Sequence, residues 1–326
     1  MRAVWYEEFG PAGEIFQVGE TKTPAAEPGE VLVRVHASGI NPLDVKRRAG
    51  DRGPMMGDIM IPHFDGAGVI EAVGADVDPG RVGERVWLYE GHMRRALGTA
   101  AEYIAIDASR ASVLPDSQSF AEGACLGIPA MTAHALVYND GPVDGQTILV
   151  TGAAGAVGNY AVQMARNGGA TVIGTVSSDE KAARAQEDGA THTINYKAED
   201  VAARVKELTD GKGVDRVVEV ELGGNIETTV KILKTSAVIA AYASMAEPVV
   251  PYPFYTLLMK APTLHIIGCF TMSEDFKQQS VADISRWMAE GKLTSRVAGE
   301  FPLEEIAAAH EMVEGGRQVG GVVVTL

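Results

Sequence analysis

Cysteine is scarce: the 326 residues hold two, Cys125 and Cys269, far apart in sequence. That excludes a disulfide framework and a four-cysteine zinc lobe built within one chain, and it fits a reducing compartment. Positive charge is sparse as well. Lys and Arg number 28 against 43 acidic residues, a formal charge of −15, and no basic cluster is longer than the one in "VKRRAG". A phosphate-backbone partner requires a basic face, so nucleic acid is excluded as a partner. No apolar run approaches the roughly 20 residues that cross a bilayer, and the opening "MRAVWYEEFG" lacks the basic-then-apolar pattern of a secretory signal. No membrane association is expected, and the cytoplasm is the expected location. Internal repeats and low-complexity tracts are missing too.

What is present is a globular composition. Hydrophobic residues make up 46% of the chain, and the length suits two domains of roughly 100 to 200 residues each. From Gln146 to about Cys269, six β-branched runs alternate with Ala-rich amphipathic stretches: "TILVT", "ATVIGTV", "THTINY", "VDRVVEV", "SAVIAAYA" and "LHIIGCF". This rhythm predicts an α/β fold with six parallel strands and crossover helices in a doubly wound sheet. "EKAARAQEDGA" and "VAARVKELTDG" finish in glycine shortly after their last apolar position, as helices do when a left-handed residue stops them. Upstream, "GEVLVRVHASGI", "GAGVIEAVGADV", "GERVWLY" and "AAEYIAID" are short and separated by Gly/Pro/Asp turns, which predicts an antiparallel barrel-like unit. The tail "FPLEEIAAAHEMVEGGRQVGGVVVTL" reads as helix, glycine turn and strand, returning to that first unit. The expected divisions are 1–121 for the barrel-like domain, 122–264 for the parallel-sheet domain, and 265–326 for the last sheet strand and the return.

Residues 151–165, "TGAAGAVGNYAVQMA", carry the first chemistry. A strand-to-helix turn that brings its backbone against a pyrophosphate needs residues without side chains, and the helix start supplies N–H donors and a positive dipole end. Ala154, Gly155, Ala156, Val157 and Gly158 form this loop, between a strand and a helix, where the motif is meaningful. The next strand ends "IGTVSSDEK". Where an NAD site places an acid for the ribose 2′-hydroxyl, this chain has Val176, followed by Ser177, Ser178 and Lys181. Two hydroxyls, a helix start and a lysine suit a 2′-phosphate, so NADPH is the expected cofactor. A local reading of the same residues has Ser177 capping the helix with Glu180 closing a capping box.

The order of "ASGINPLDVKRRAG", "PHFDGAGVIEAVGADV", "GAAGAVG", "GTVSSDEKAARAQEDGATHTINY" and "GGRQVGGVVV" resembles the medium-chain dehydrogenase/reductase superfamily over essentially the whole chain. Within it, the chain is similar to the zinc-independent NADPH:quinone oxidoreductase and zeta-crystallin group. The resemblance implies a GroES-like antiparallel barrel-like catalytic domain followed by a six-stranded Rossmann sheet. Zinc-dependent alcohol dehydrogenases of the superfamily carry Cys at the position of Asn41, His at that of Phe64 and a third ligand near Ile128. A carboxamide, a phenyl ring and an aliphatic chain cannot replace thiolate, imidazole or carboxylate, so no metal site is expected. The seven histidines show no paired ligand spacing, with His63 and Asp65 the nearest approach to one.

Without a Lewis acid, catalysis rests on holding nicotinamide and acceptor in contact and on hydrogen bonds to the oxygen where charge develops. That suits an electron-poor acceptor, a quinone or an α,β-unsaturated carbonyl compound. The resemblance places Asn41 beside the nicotinamide, where it orients cofactor or substrate, with Asp44 a second catalytic candidate in a polar relay. The local readings are an Asn-Pro turn and a helix-start residue. The family's Tyr five residues after the Asn is Lys46 here; Lys46, Arg47 and Arg48 read either as an attraction for an anionic substrate or as a solvated charge run. To the cofactor the resemblance further assigns Thr132, Tyr196 at the adenosine end, Tyr242 and Ser244 after the fifth strand, Phe270 after the sixth, and Arg317 with Gly320. Tyr196 also reads as packing on the sheet edge, and Tyr242 and Phe270 as core. The family's Asp-Ser-Val-Gly after the fourth strand is "VELG", Val220 to Gly223, which leaves Glu221 without a role. The expected activity is reduction of a small-molecule electron acceptor by NADPH. A zinc-type alcohol dehydrogenase with atypical ligands and a non-enzymatic NADPH-binding protein are the alternatives. The apolar "LHIIGCF", at the sheet edge, predicts a homodimer formed there.

Overall fold

The computed structural model describes residues 1–326, which divide into two compact units: Met1–Ile128 with Val281–Leu326, and Pro129–Ser280.

The first unit begins with an antiparallel pair, β1 (Arg2–Trp5) and β2 (Gln17–Glu20). Five strands follow: β3 (Glu30–Ile40), β4 (Asp65–Val73), β5 (Arg85–Leu88), β6 (Tyr103–Asp107) and β7 (Ala111–Val113). Alternation along β3 sends Val31, Val33 and Val35 to one face, where they pack with Ile70, Val86, Leu88, Ile104 and Ile106, while Arg34 is exposed. A strand with one buried face has this period. β3 pairs antiparallel with both β4 and β6, and β4 with β5. Directly after β3, the helix Pro42–Arg48 starts with Pro at its first position and basic residues in its last turn, as its dipole favours.

The second unit is the six-stranded sheet of β8 (Thr147–Val150), β9 (Thr171–Val176), β10 (His192–Asn195), β11 (Val214–Glu219), β12 (Leu233–Ala241) and β13 (Thr263–Ile266). All neighbours are parallel, in the order β10-β9-β8-β11-β12-β13. The order reverses direction at β8, the first strand, so the C-terminal ends of β8 and β11 frame the crevice where open α/β sheets bind ligands. The two helices read from their terminal glycines are Asp179–Glu187 and Val201–Leu208, with Gly189 and Gly211 in the left-handed region at φ 111° and 78°.

The chain then returns to the first unit with β14 (Val297–Pro302), the helix Ile306–Gly315 and β15 (Gly321–Thr325). β15 pairs antiparallel with β3 and parallel with β14. Ile306, Ala309 and Val313 of the helix share a core with Ile40, Val45, Val322 and Val324. The expected division at 121/122 falls inside the short helix Phe120–Gly123, which packs on β3 and β4, and the one at 264/265 falls inside β13.

The basic run is not a solvated face. Arg48 is buried, donates to the Gly10 carbonyl and pairs with Glu314 at 3.0 Å, so it ties its helix to Ile306–Gly315. Arg47 is half-buried, with Nη1 donating to Arg52 O at 2.7 Å.

Candidate active site

In the parallel-sheet unit, β8 runs into a turn in which Gly152 adopts φ 63°. The helix Ala156–Asn167 begins with Gly155 as its N-cap and no side-chain cap, so its first-turn N–H groups are not taken up by a capping side chain. A Cβ on Gly158 would lie 2.2 Å from the Gly152 carbonyl oxygen, so only glycine lets the helix start approach the turn this closely. Ala154 is buried, Ala156 and Val157 are half-buried, and Gly155 is exposed. A small, backbone-lined concavity at a helix start fits a pyrophosphate.

At the end of β9, Val176 is buried and leaves no acid at that position. The helix cap is Ser178, not Ser177: Ser178 Oγ accepts from Lys181 N–H at 3.3 Å. Ser177 follows the strand directly and lies one residue too early to reach that N–H, so its hydroxyl has no internal partner. The Lys181 ammonium is half-buried and unpaired. The Ser177 hydroxyl, the Ser178 O–H and the Lys181 ammonium are therefore the donors at the end of β9, with Asp179 and Glu180 beside them in the first turn of the helix. Tyr196 follows β10 and donates its N–H to Val176 O at 3.1 Å. Tyr196 is 52% exposed.

The carboxylate left without a role is a loop clamp. Glu221 caps the helix Leu222–Ile232 and accepts N–H bonds from Met245 at 2.7 Å, Ala246 at 3.0 Å and Glu247 at 3.4 Å. Burial works against its charge, but these bonds hold the carboxyl below its ordinary range. The clamp orders the segment after β12. There Ser244 Oγ accepts from Gly223 N–H at 2.9 Å, and a cavity is lined by Leu222, Tyr242, Ser244, Tyr252 and Ile266. Glu219, which sequence reasoning passed over, is fully buried at the end of β11 and accepts from Thr151 Oγ1 and Asn225 Nδ2, both at 2.8 Å. It fixes the start of the glycine loop against β11. Thr132 is buried on the helix Gly127–Tyr138, and Phe270 is half-buried in the turn Cys269–Thr271.

In the other unit, the sequence-derived residues Asn41, Asp44, Phe64 and Ile128 come together around a residue that received little weight, Asp65. Asn41 Nδ2 donates to Asp65 Oδ2 at 2.7 Å, and Ile128 N–H donates to the same oxygen at 2.8 Å. Asn41 N–H donates to Asp44 Oδ2 at 2.7 Å, closing a capping box on the helix Pro42–Arg48. The helix-start reading of Asp44 thus holds, with Asn41 the N-cap of the same helix. Burial pushes the Asp44 carboxyl up to about 7. Burial, then the charge of Asp44, raises Asp65 well above its usual value. The three positions that carry zinc in other dehydrogenases present a carboxamide, a phenyl ring and an aliphatic chain, and no group of three His, Cys, Asp or Glu converges elsewhere. Arg317 is exposed and unpaired, while Gly320, at φ 121°, passes so close to Arg296 O that a Cβ would sit at 2.5 Å.

Behind Asp65 runs a buried hydrogen-bond chain whose direction follows from proton counting. Thr99 Oγ1 donates to Asp65 O at 2.6 Å, so Ser38 Oγ donates to Thr99 at 2.7 Å. Ser38 then accepts from His63 Nδ1 at 2.8 Å, and neutral His63 accepts through Nε2 from His310 Nε2 at 2.9 Å. Burial keeps both rings neutral, His310 down to about 3 and His63 well below its usual value. His63 holds φ 78°, an uncommon conformation for a side-chain-bearing residue, and one that this network over-determines.

Two family models match the chain: the alcohol dehydrogenase GroES-like domain over residues 27–116 and the zinc-binding dehydrogenase over residues 156–286. The chain is 33% identical over 335 residues to a 2-haloacrylate reductase of a Burkholderia species, covering 100% of this chain and 98% of that protein. Among solved structures, it is similar to an NAD-dependent alcohol dehydrogenase at TM-score 0.90 and 28% identity, covering both chains fully. It is also similar to the quinone oxidoreductase of Escherichia coli complexed with NADPH, at TM-score 0.86 and 25% identity, again covering both chains fully.

Proposed function

The chain belongs to the zinc-independent quinone oxidoreductase group of the medium-chain dehydrogenase/reductase superfamily, and from that premise we propose that it is an NADPH-dependent reductase of quinones or α,β-unsaturated carbonyl compounds. The observation that carries the reading is the pairing of a glycine-tight loop with a β9 that ends in Val176 rather than an acid, followed by Ser177, Ser178 and Lys181. Ala154 to Gly158 hold the pyrophosphate, Tyr196 covers the adenosine end, and Thr132, Tyr242, Ser244, Phe270, Arg317 and Gly320 complete the contacts. Bound NADPH supplies a hydride to an electron-poor carbon of the acceptor. Asn41 is the residue that orients the nicotinamide or the acceptor; its carboxamide is fixed by Asp65, so it is preorganised for that role. Asp44 retains a proton up to about pH 7 and keeps the charge beside Asn41 low. The proton that completes reduction comes from solvent.

The cofactor assignment is tested by the double variant Ser177→Ala, Lys181→Ala. The ratio of kcat/KM for NADPH over NADH should fall by about tenfold or more, the loss of one hydroxyl contact and one charge on a phosphate. A ratio within about twofold of the wild type would refute this reading of the loop.

The reading extends to a homodimer. β13 is the outer strand of its sheet, and Ile266 on it is 75% exposed. The preceding helix Phe254–Lys260 buries none of its residues and presents Phe254, Tyr255 and Met259 to solvent. An uncovered apolar edge of this kind favours pairing with a second copy. Light scattering should report twice the chain mass for the wild type and a monomer for Ile266→Arg; a monomeric wild type contradicts it.

A further inference from the structure

Glu219, the last residue of β11, is a carboxyl with no exposure to solvent and no cation among its partners. Its hydrogen bonds are uneven. Oε1 accepts from Thr151 Oγ1, Asn225 Nδ2 and the Glu221 N–H, each at 2.8 Å. Oε2 has a single contact, the Thr229 hydroxyl at 3.4 Å. An ionised carboxylate spreads its charge over both oxygens, and leaving one of them almost without donors in a buried site is costly. A neutral acid fits the same positions: Oε1 is the carbonyl oxygen, which only accepts, and Oε2 carries the proton and donates to Thr229. The groups facing the carboxyl suit that state. Thr151 after β8, and Asn225 and Thr229 on the helix Leu222–Ile232, are uncharged; the Glu221 carboxyl is taken up by the N–H groups of residues 245–247; and Tyr242, after β12, is a phenol whose N–H donates to Glu219 O at 3.1 Å. Burial, the largest influence, raises the Glu219 carboxyl against its hydrogen bonds.

This carboxyl joins two segments that face the cofactor. Thr151 opens the glycine loop: its hydroxyl lies closer to Glu219 Oε1 than to Val218 O, at 2.8 Å against 3.2 Å, and accepts from the Val220 N–H at 2.9 Å. Gly152, at φ 63°, follows directly. On the other side, Glu219 holds the N–H of Glu221, whose own carboxylate orders the segment after β12. We propose that Glu219 is a positioning residue for NADPH that acts as a neutral carboxylic acid, and that its ionisation loosens the cofactor. This rests on the reading of the glycine loop as the pyrophosphate site. A pyrophosphate on that loop brings negative charge toward the carboxyl and favours its protonated form; by reciprocity, loss of the proton weakens the cofactor. NADPH affinity therefore falls as pH rises above the ordinary range of a glutamate.

The test compares the full-length wild type with Glu219→Leu and Glu219→Gln by fluorescence titration with NADPH. Leucine leaves three buried donors unpaired and should weaken NADPH by about 100-fold. Glutamine is the neutral isostere, its Oε1 accepting the same three bonds and its Nε2 donating to Thr229, and it should restore affinity to within about threefold of the wild type at about pH 6. Between about pH 6 and about pH 9, the wild-type Kd should rise by about tenfold or more relative to that of Glu219→Gln, a ratio in which the titrations of the 2′-phosphate and of Lys181 cancel. Without NADPH, the melting temperature of the wild type should fall below that of Glu219→Gln over the same range. A carboxyl raised in the folded state stabilises at low pH, and that contribution is lost as pH rises. Binding by Glu219→Gln more than about tenfold weaker than the wild type at about pH 6 would mean an ionised carboxylate and overturns the proposal, as does a Kd ratio that stays constant or falls with pH. Failure of the wild type to bind NADPH at any pH, with the melting temperatures still diverging, would instead refute the cofactor reading of the loop and leave the neutral acid standing.

Discussion

Gly158→Ala should weaken NADPH binding by about 100-fold or more, although alanine is the better helix former by about 1 kcal/mol. The added methyl group would meet the Gly152 carbonyl oxygen at 2.2 Å, its carbon at 2.9 Å and Ala153 Cα at 3.0 Å. All three are backbone atoms, so no side-chain rotation relieves the clash. The turn must open, and the helix start moves away from the pyrophosphate that it is proposed to bind. Gly155→Ala is the internal control. Its Cβ would touch only Gly152 O, at 3.1 Å, and the position is exposed, so its effect should be well under that of Gly158→Ala. Fluorescence titration with NADPH, alongside the melting temperature of each variant, separates lost affinity from lost fold. Affinity for Gly158→Ala within about threefold of the wild type would mean that the pyrophosphate lies elsewhere.

The second large effect is expected at Asn41. Asn41→Ala removes one of the two donors to Asp65 Oδ2 and the side-chain half of a capping box, while the main-chain bond from residue 41 to Asp44 survives. Leaving a buried carboxyl short of a partner and losing an N-cap together destabilise by about 2–4 kcal/mol. On the proposed role of Asn41 in orienting the reactants, turnover should fall by about 100-fold. Asn41→Asp is the sharper probe. It keeps the shape but places a third carboxyl against Asp44 and Asp65, both already raised by burial. Ionising the new group is unfavourable among its neighbours, so at alkaline pH the variant should be worse than Asn41→Ala. As pH falls through the raised value, the new carboxyl takes up a proton and becomes a donor to Asp65, so activity and stability should recover in the acid direction. An Asn41→Asp variant that loses activity on acidification, in parallel with the wild type, would remove Asn41 from the Asp65 network.

The parallel sheet was legible because its inner strands, buried on both faces, are near-continuous β-branched runs, and each of the six runs from "TILVT" to "LHIIGCF" holds a strand. The barrel strands were legible for the opposite reason, one buried face and a period of two. β14 was not: "VAGEFP" carries a glycine, a charge and a proline, and none of its residues is fully buried, so nothing in it repeats. The phosphate end was half legible. Two adjacent serines offer the same chemistry to a helix cap, and only the backbone, which turns helical at Asp179, decides that Ser178 is the cap and Ser177 is spare.

Long-range pairing was the hidden part of the site. Glu221 looked like an unexplained replacement because its partners, Met245 to Glu247, lie more than 20 residues away. His63 meets His310 across 247 residues of sequence, and Arg48 meets Glu314 across 266. Asp65 carried a weak signal, its place directly after the position where zinc enzymes carry His. Its role became visible only when Asn41 and Ile128 converged on one of its oxygens.

The central claim is hydride transfer from NADPH without metal. The most direct measurement is the loss of nicotinamide absorbance on adding a quinone or an enone to the protein and NADPH, in buffer containing a strong chelator. The account predicts acceptor-dependent oxidation that the chelator leaves unchanged and that is faster with NADPH than with NADH. NADPH binding with no turnover on any acceptor, or turnover abolished by the chelator and restored by zinc, would contradict it.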